Sequence, residues 1–228
     1  MTKKKLALFD LDHTLIPFDS DYSWGEFTLG LGWNDAGDFK RRNDAFYEQY
    51  KAGTLDIHAY CRFATSAVCR EGQVKSLAAH AQYMIQVVQP GIKQQALDLV
   101  KKHQDAGDTV LIITATNEFV TRPIAEAFGV HELLAIELER DQTPGGSGWF
   151  TGEIRGVPSF REGKVTRMEQ WMAERGLDWN QVHTTFYSDS INDVPLLEKA
   201  DVPVATNPDE RLRALAAERQ WRILDLFA

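Results

Sequence analysis

Short apolar runs at residues 6–11, 109–114, 133–139, 184–187 and 202–205 alternate with helical patterns near residues 117–129, 164–175, 192–199 and 208–219. This alternation constrains the chain more than any other feature. Parallel neighbours in a sheet need a crossover long enough to carry a helix, so strand and helix taking turns implies a parallel sheet. The expected class is α/β, a doubly wound parallel Rossmann-like sheet. A last apolar run, RILDL at 222–226, extends one edge of that sheet, and QTPGGSG at 142–148 has the turn residues of a small β-hairpin tip. No GK[ST] follows those glycines, which argues against a phosphate loop.

One interval breaks the alternation. Residues 16–89 separate the first strand from the helix leading into the second, too long a stretch for an unstructured connection. Within it Ile57, Tyr60, Cys61, Ala64 and Val68, then Leu77, Ala81, Met84 and Val88, recur at helical spacing. The expectation is an inserted helical cap over 16–89 and a catalytic core made of 1–15 and 90–228. Pro90-Gly91 marks the return, followed by a helix over 92–106. A chain of 228 residues with 43% hydrophobic content has room for one substantial core and a small second lobe. The two cysteines, Cys61 and Cys69, fall in the helical pattern at a spacing of roughly 12 Å between α-carbons, too far to bridge.

The stretch LALFDLDHTL places Asp10 and Asp12 at the end of the first apolar run, where buried acids require a cation, a proton or water. In open parallel sheets ligands sit beyond the carboxyl ends of the strands. Strand two ends on Thr114 with Thr116 and Asn117, the strand at 184–187 runs out into Asp189, Asn192 and Asp193, and Lys164 opens a helix. Like charges 4 Å apart repel by about 4 kcal/mol per pair at an effective dielectric of 20. A divalent cation resolves that repulsion, and oxygen ligands without a histidine or cysteine cluster suit Mg²⁺. The formal net charge of -8 disfavours nucleic acid or an anionic membrane as the main partner. Lys3, Lys4 and Lys5 precede an apolar stretch that Asp10 interrupts too early for a signal peptide, so a cytoplasmic address is expected.

DLDHT at 10–14, Thr114 closing VLIIT, Lys164 and SDSIND at 188–193 resemble the four ordered motifs of the haloacid dehalogenase (HAD) superfamily of phosphatases. The chain is most similar to the phosphoserine phosphatase-like group (subfamily IB), which includes bacterial histidinol-phosphate phosphatases and lipid phosphate phosphatases. The resemblance implies a Mg²⁺-dependent phosphomonoester hydrolase working through an aspartyl-phosphate. Asp10 would be the nucleophile and Asp12 the general acid and base. Thr114, Ala115, Lys164 and Asn192 would bind phosphate, and the metal would take the Asp10 side chain, the Asp12 backbone carbonyl and Asp189. Asp193 would support the site, either by pairing with Lys164 or by ordering a metal water. His13 is expected to be exposed beside the site.

The resemblance also bears on the substrate, a small phosphomonoester. Asp19 stands nine residues after the nucleophile, where phosphoserine phosphatases carry a glutamate facing the substrate's ammonium group; as an alternative, it caps the following helix. The second strand ends TATN where those enzymes have Ser-Gly-Gly, which disfavours phosphoserine. A larger amino alcohol phosphate such as histidinol phosphate would fit, with Tyr22 and Trp24 offering flat surfaces to an imidazole. Lipid phosphates are disfavoured because no spanning or basic amphipathic anchor is evident. A Mg²⁺-binding receiver-like module would also need acids, Thr and Lys, but in a different order and without a long cap.

Overall fold

The computed structural model describes residues 3–228. Its strands are β1 (Lys4–Phe9), β2 (Thr109–Asn117), β3 (Glu132–Ile136), β4 (Leu138–Arg140), β5 (Phe150–Ile154), β6 (Val182–Ser188), β7 (Val202–Thr206) and β8 (Arg222–Leu224). Its helices are α1 (Ser20–Gly30), α2 (Ala36–Ala52), α3 (Ile57–Tyr83), the short α4 (Gln89–Gly91), α5 (Gln94–Asp105), α6 (Glu118–Ala127), α7 (Glu162–Ala173), α8 (Val194–Lys199) and α9 (Glu210–Glu218). Six strands form one sheet in the order β3-β2-β1-β6-β7-β8, with every neighbouring pair parallel. The hairpin β4-β5 is a separate antiparallel pair.

Both faces of the sheet are covered, as parallel strands require. Ala7, Phe9, Val110, Ile112, Tyr187 and Val204 point into a cluster shared with α1, α3, α5 and α6. Leu6, Leu8, Leu111, Ile113, Phe186 and Ala205 point the other way, onto Met168 and Trp171 of α7, Leu196 and Leu197 of α8 and Leu212 of α9. From β1 the chain builds outward through β2 and β3, then returns to place β6, β7 and β8 on the opposite side. The strand order therefore reverses between β1 and β6, and that crevice is where a doubly wound sheet binds ligands.

Three boundaries differ from the sequence expectation. The run at 133–139 is two strands, because the chain leaves the main sheet after Ile136 and Leu138 pairs with Ile154 in the hairpin. Continuous apolarity conceals such a change of partner. β2 continues past Thr114 to Asn117 with a shift in its register against β3, since the Thr116 amide bonds the Thr114 hydroxyl (3.2 Å). The pattern at 192–199 begins as a 3₁₀ turn at Ile191–Asp193 before α8.

Between β1 and β2 lie α1 to α5, with α1, α2 and α3 inside residues 16–89. The N-terminal part of α3 buries Cys61 and Val68, and both cysteines are free. The second apolar set is split: Met84 and Val88 are buried in the core, whereas Leu77 and Ala81 are exposed. Gly72, at φ 77 and ψ 172, breaks the helical geometry and rotates the C-terminal half of α3, so that Ser76, Ala79, His80 and Tyr83 face inward while Leu77 is exposed. Among the described residues no helix is long and apolar enough to cross a membrane.

Candidate active site

Asp10 leaves the end of β1, where its amide bonds the Tyr187 carbonyl of β6 (2.9 Å). Adjacent strand ends thus carry Asp10 on one side and the segment Ser188–Asp193 on the other. Lys164, in the first turn of α7, is buried between them: its Nζ donates to Asp10 Oδ1 (2.9 Å) and Asp193 Oδ2 (2.7 Å). Ser188 Oγ donates to the same Asp193 oxygen (2.7 Å). Burial alone would lower the lysine, but the charges of Asp10 and Asp193 more than offset it and hold the ammonium above its ordinary value. Burial pushes Asp193 up to about 6, against the pull of Lys164.

Thr14 links the end of β1 to the end of β6. Its hydroxyl donates to Asp189 Oδ1 (3.2 Å) and accepts from the Asp189 amide (3.1 Å). Burial, then the negative charges of Asp10 and Asp193, raise the Asp189 carboxyl well above the carboxylate range. Asp12 is held at both oxygens: the Ser20 amide donates to Oδ1 (3.0 Å) and the Thr116 hydroxyl to Oδ2 (2.9 Å). Its carboxyl is also raised well above the usual range, by burial, then by Asp19, with Asp10 adding to the effect. A carboxyl so placed is shifted toward the protonated form that a general acid needs.

The remaining predicted residues occupy distinct places. Thr114 is buried, and its carbonyl accepts from Ser159 Oγ (2.6 Å); Ala115, next to it, is half-buried. Asn192 is half-buried in the 3₁₀ turn, its amide bonded to Ser190 Oγ (3.2 Å), which also meets Tyr50 OH from α2 (2.8 Å). His13 is exposed and adopts φ 54. Asp19 is the N-cap of α1, where its Oδ1 accepts from the Tyr22 amide (2.8 Å).

The two aromatic residues offered as substrate surfaces lie elsewhere. Trp24 is 2% exposed, enclosed by the rings of Phe27, Trp33, His80, Tyr83 and Phe119, so its faces are already occupied. Tyr22 is 45% exposed on the outer side of α1, with Glu26. An aromatic in a helical pattern reads the same whether it packs the core or faces a ligand.

Sequence reasoning assigned no role to several residues that shape the site. Thr14 and Ser188 lie inside the motifs and carried a signal, whereas Ser159 and Tyr50 carried none. Asp21 stands two residues from Asp19, but its environment differs. It is buried, accepts from Asn117 Nδ2 (3.1 Å), and is pushed up to about 7 by burial and the charge of Asp19.

The chain is similar to several known proteins. A histidinol-phosphatase from Neisseria meningitidis serogroup C (strain 8013) is 40% identical over 223 residues, 97% of this chain and 99% of that protein. A crystal structure of a protein with unknown function from Bordetella pertussis Tohama I superposes with a TM-score of 0.91 at 45% identity, covering 99% of this chain and 100% of that one. A substrate-bound phosphoserine phosphatase superposes with a TM-score of 0.68 over 99% of this chain and 94% of its own, and at 18% identity shares the fold. The family model for haloacid dehalogenase-like hydrolases matches residues 7–198, a span that begins within β1 and takes in Asp10, Lys164, Asp189 and Asp193. The chain belongs to that family of hydrolases.

Proposed function

We propose that this hydrolase is a phosphatase that removes phosphate from a small phosphomonoester through an aspartyl-phosphate on Asp10. The observation that carries the reading is the pairing of two unlike carboxyls. Asp10 is held by Lys164 at Oδ1, with no hydrogen bond to Oδ2 among the described residues, while Asp12 is raised toward its protonated form. Asp10 Oδ2 attacks phosphorus as the bond to the leaving oxygen breaks, and Asp12 gives that oxygen its proton. Water then attacks phosphorus, Asp12 takes the water's proton, and the bond to Asp10 breaks to release phosphate. Thr114, Ala115, Lys164 and Asn192 contact the phosphoryl oxygens, and Asp193 keeps Lys164 in place.

The donor set fits Mg²⁺. Asp10 and Asp193 share Lys164 as their cation, and burial, with repulsion from those two acids, raises Asp189. Among the described residues no three His, Cys, Asp or Glu side chains form a cage of their own. Mg²⁺ needs none, because it binds through one or two carboxylates, waters and the substrate's phosphate. The Asp10 and Asp189 carboxylates and the Asp12 backbone carbonyl would hold it, and when bound it supplies charge neutralisation to the transferring group.

In this reading 1–15 and 90–228 form the catalytic core and 16–89 the cap that selects the leaving group, with the enzyme working in the cytoplasm, where Cys61 and Cys69 stay reduced. An amino alcohol or amino acid phosphate such as histidinol phosphate is the preferred substrate. Two things support it: the name of the Neisseria relative, and Asp19 at the start of α1, which has no Lys or Arg ion-pair partner among the described residues. The test is a panel of amino-alcohol, amino-acid, sugar and nucleotide monophosphates assayed with Mg²⁺. The reading expects the highest kcat/KM on an amine-bearing phosphate and only a few per cent of that turnover in Asp10→Asn. A clear preference for an amine-free phosphate would refute the substrate class, and an active Asp10→Asn would refute the nucleophile.

A further inference from the structure

We infer that Thr116 is a positioning residue that aims Asp12 at the leaving oxygen, an inference that rests on the proton-transfer role proposed above. Thr116 is 6% exposed near the end of β2, and its hydroxyl is the side-chain donor to Asp12 Oδ2 (2.9 Å). The other oxygen takes the Ser20 amide (3.0 Å). The carboxyl is thereby gripped from two separate segments, one at the start of α1 and one at the end of β2.

The two donors differ in kind. A backbone amide only donates, so the oxygen facing it must always accept. A threonine hydroxyl rotates and does both, so it stays bonded to Asp12 whether the carboxyl holds its proton or has given it away. Without that hydroxyl, nothing among the described residues would fix Oδ2, and the terminal torsion of an aspartate is broad. Displacing a catalytic group by about 1 Å can cost on the order of a hundredfold in rate.

Thr116 is itself firmly placed. Its amide bonds the Thr114 hydroxyl (3.2 Å). The next residue, Asn117, bonds Asp21 of α1 through Nδ2 (3.1 Å) and caps α6 at the Val120 amide through Oδ1 (3.2 Å). The end of β2 therefore gives the acid group a second hold besides the Ser20 amide.

The experiment compares kcat/KM, which reports the first half-reaction, for p-nitrophenyl phosphate and for β-glycerophosphate. The first has a leaving group that needs little protonation; the second depends on it. Thr116→Val is expected to lose roughly tenfold or more on β-glycerophosphate beyond its loss on p-nitrophenyl phosphate, and Thr116→Ser to recover to within about threefold of wild type. Thr116→Ala gives the same comparison if the valine variant does not fold. Equal losses on both substrates, or a serine variant no better than valine, overturn the inference. Asp12→Asn, run alongside, separates the two levels. If its own loss does not depend on the leaving group, the acid role and the Thr116 inference fall together. If Asp12→Asn is leaving-group dependent and Thr116→Val is not, only Thr116 loses its role.

Discussion

Lys164 Nζ donates to Asp10 Oδ1 across 2.9 Å, with only 2% of the lysine side chain exposed. The same ammonium reaches Asp193 at 2.7 Å, so one buried cation separates two acids that would otherwise repel each other. Lys164→Met is expected to lower kcat on the order of a hundredfold or more, since it removes a donor from the transferring phosphoryl group and leaves two acids uncompensated. Steady-state kinetics together with urea unfolding would check this. A variant with unchanged kcat would place Lys164 outside the reaction.

Removing divalent metal should abolish turnover. Enzyme treated with chelator and then dialysed is expected to regain activity with Mg²⁺ and to stay inactive with Ca²⁺, which takes more ligands at longer distances and would engage Asp10 through both oxygens. Full activity in the metal-free protein, or in Ca²⁺ alone, would contradict the oxygen donor set of Asp10 and Asp189.

Asp19 combines a capping role with a place near the mouth of the site, and Asp19→Asn separates the two. Asparagine caps a helix as well as aspartate, so the melting temperature should hold. If Asp19 faces a substrate amine, KM for an amine-bearing phosphate rises roughly tenfold while that for an amine-free phosphate changes little. Equal kinetic effects on both substrates would leave Asp19 with its structural role alone.

Asp21 should make stability depend on pH. Its carboxyl rises from about 3.9 in an unfolded chain to about 7 in the fold, through burial and the charge of Asp19. The folded state thus holds the proton more tightly, and the contribution present below the unfolded value is lost as pH rises through about 7. The ceiling on that loss is about 4 kcal/mol. Asp21→Asn keeps an acceptor for Asn117 and should flatten the dependence, gaining stability over wild type at pH 8 relative to pH 4. Parallel urea titrations at the two pH values measure this, and identical pH slopes in the two proteins would refute it.

The sheet and the strand-end residues were legible for one reason. A parallel strand buried on both faces is continuously apolar, so a polar residue at its end stands out, as Asp10 and Asp189 do. The alternation also revealed the doubly wound class, while the turn residues QTPGGSG marked the hairpin and the last apolar run marked the edge strand β8. Patterns that serve two purposes were opaque. Trp24 has the spacing of a helical aromatic, and only its neighbours show that it packs among Tyr83, Phe119 and Trp33. Leu77 and Ala81 continue the apolar period past the break at Gly72, yet both face solvent while Met84 and Val88 of the same period are buried. Asp19 and Asp21 are alike in sequence; which acid caps α1 and which is buried against Asn117 depends on how α1 docks on β2.

The hydrophobic cluster on one side of the sheet joins Trp24, Cys61, Val68 and Tyr83 of the α1–α3 segment to Phe9, Ile112 and Phe119 without a break. A lobe exchanged between enzymes as a self-contained cassette would need most of its interior to itself, and beyond the stacked rings of Phe39 and Phe63 this segment buries its apolar side chains in the cluster it shares with the sheet. Grafting residues 16–89 onto a related core would expose the Trp24 cluster along the seam. In the proposed reading, in which the lobe selects the leaving group, a new preference is therefore reached by altering individual side chains near the mouth rather than by replacing the lobe as a unit.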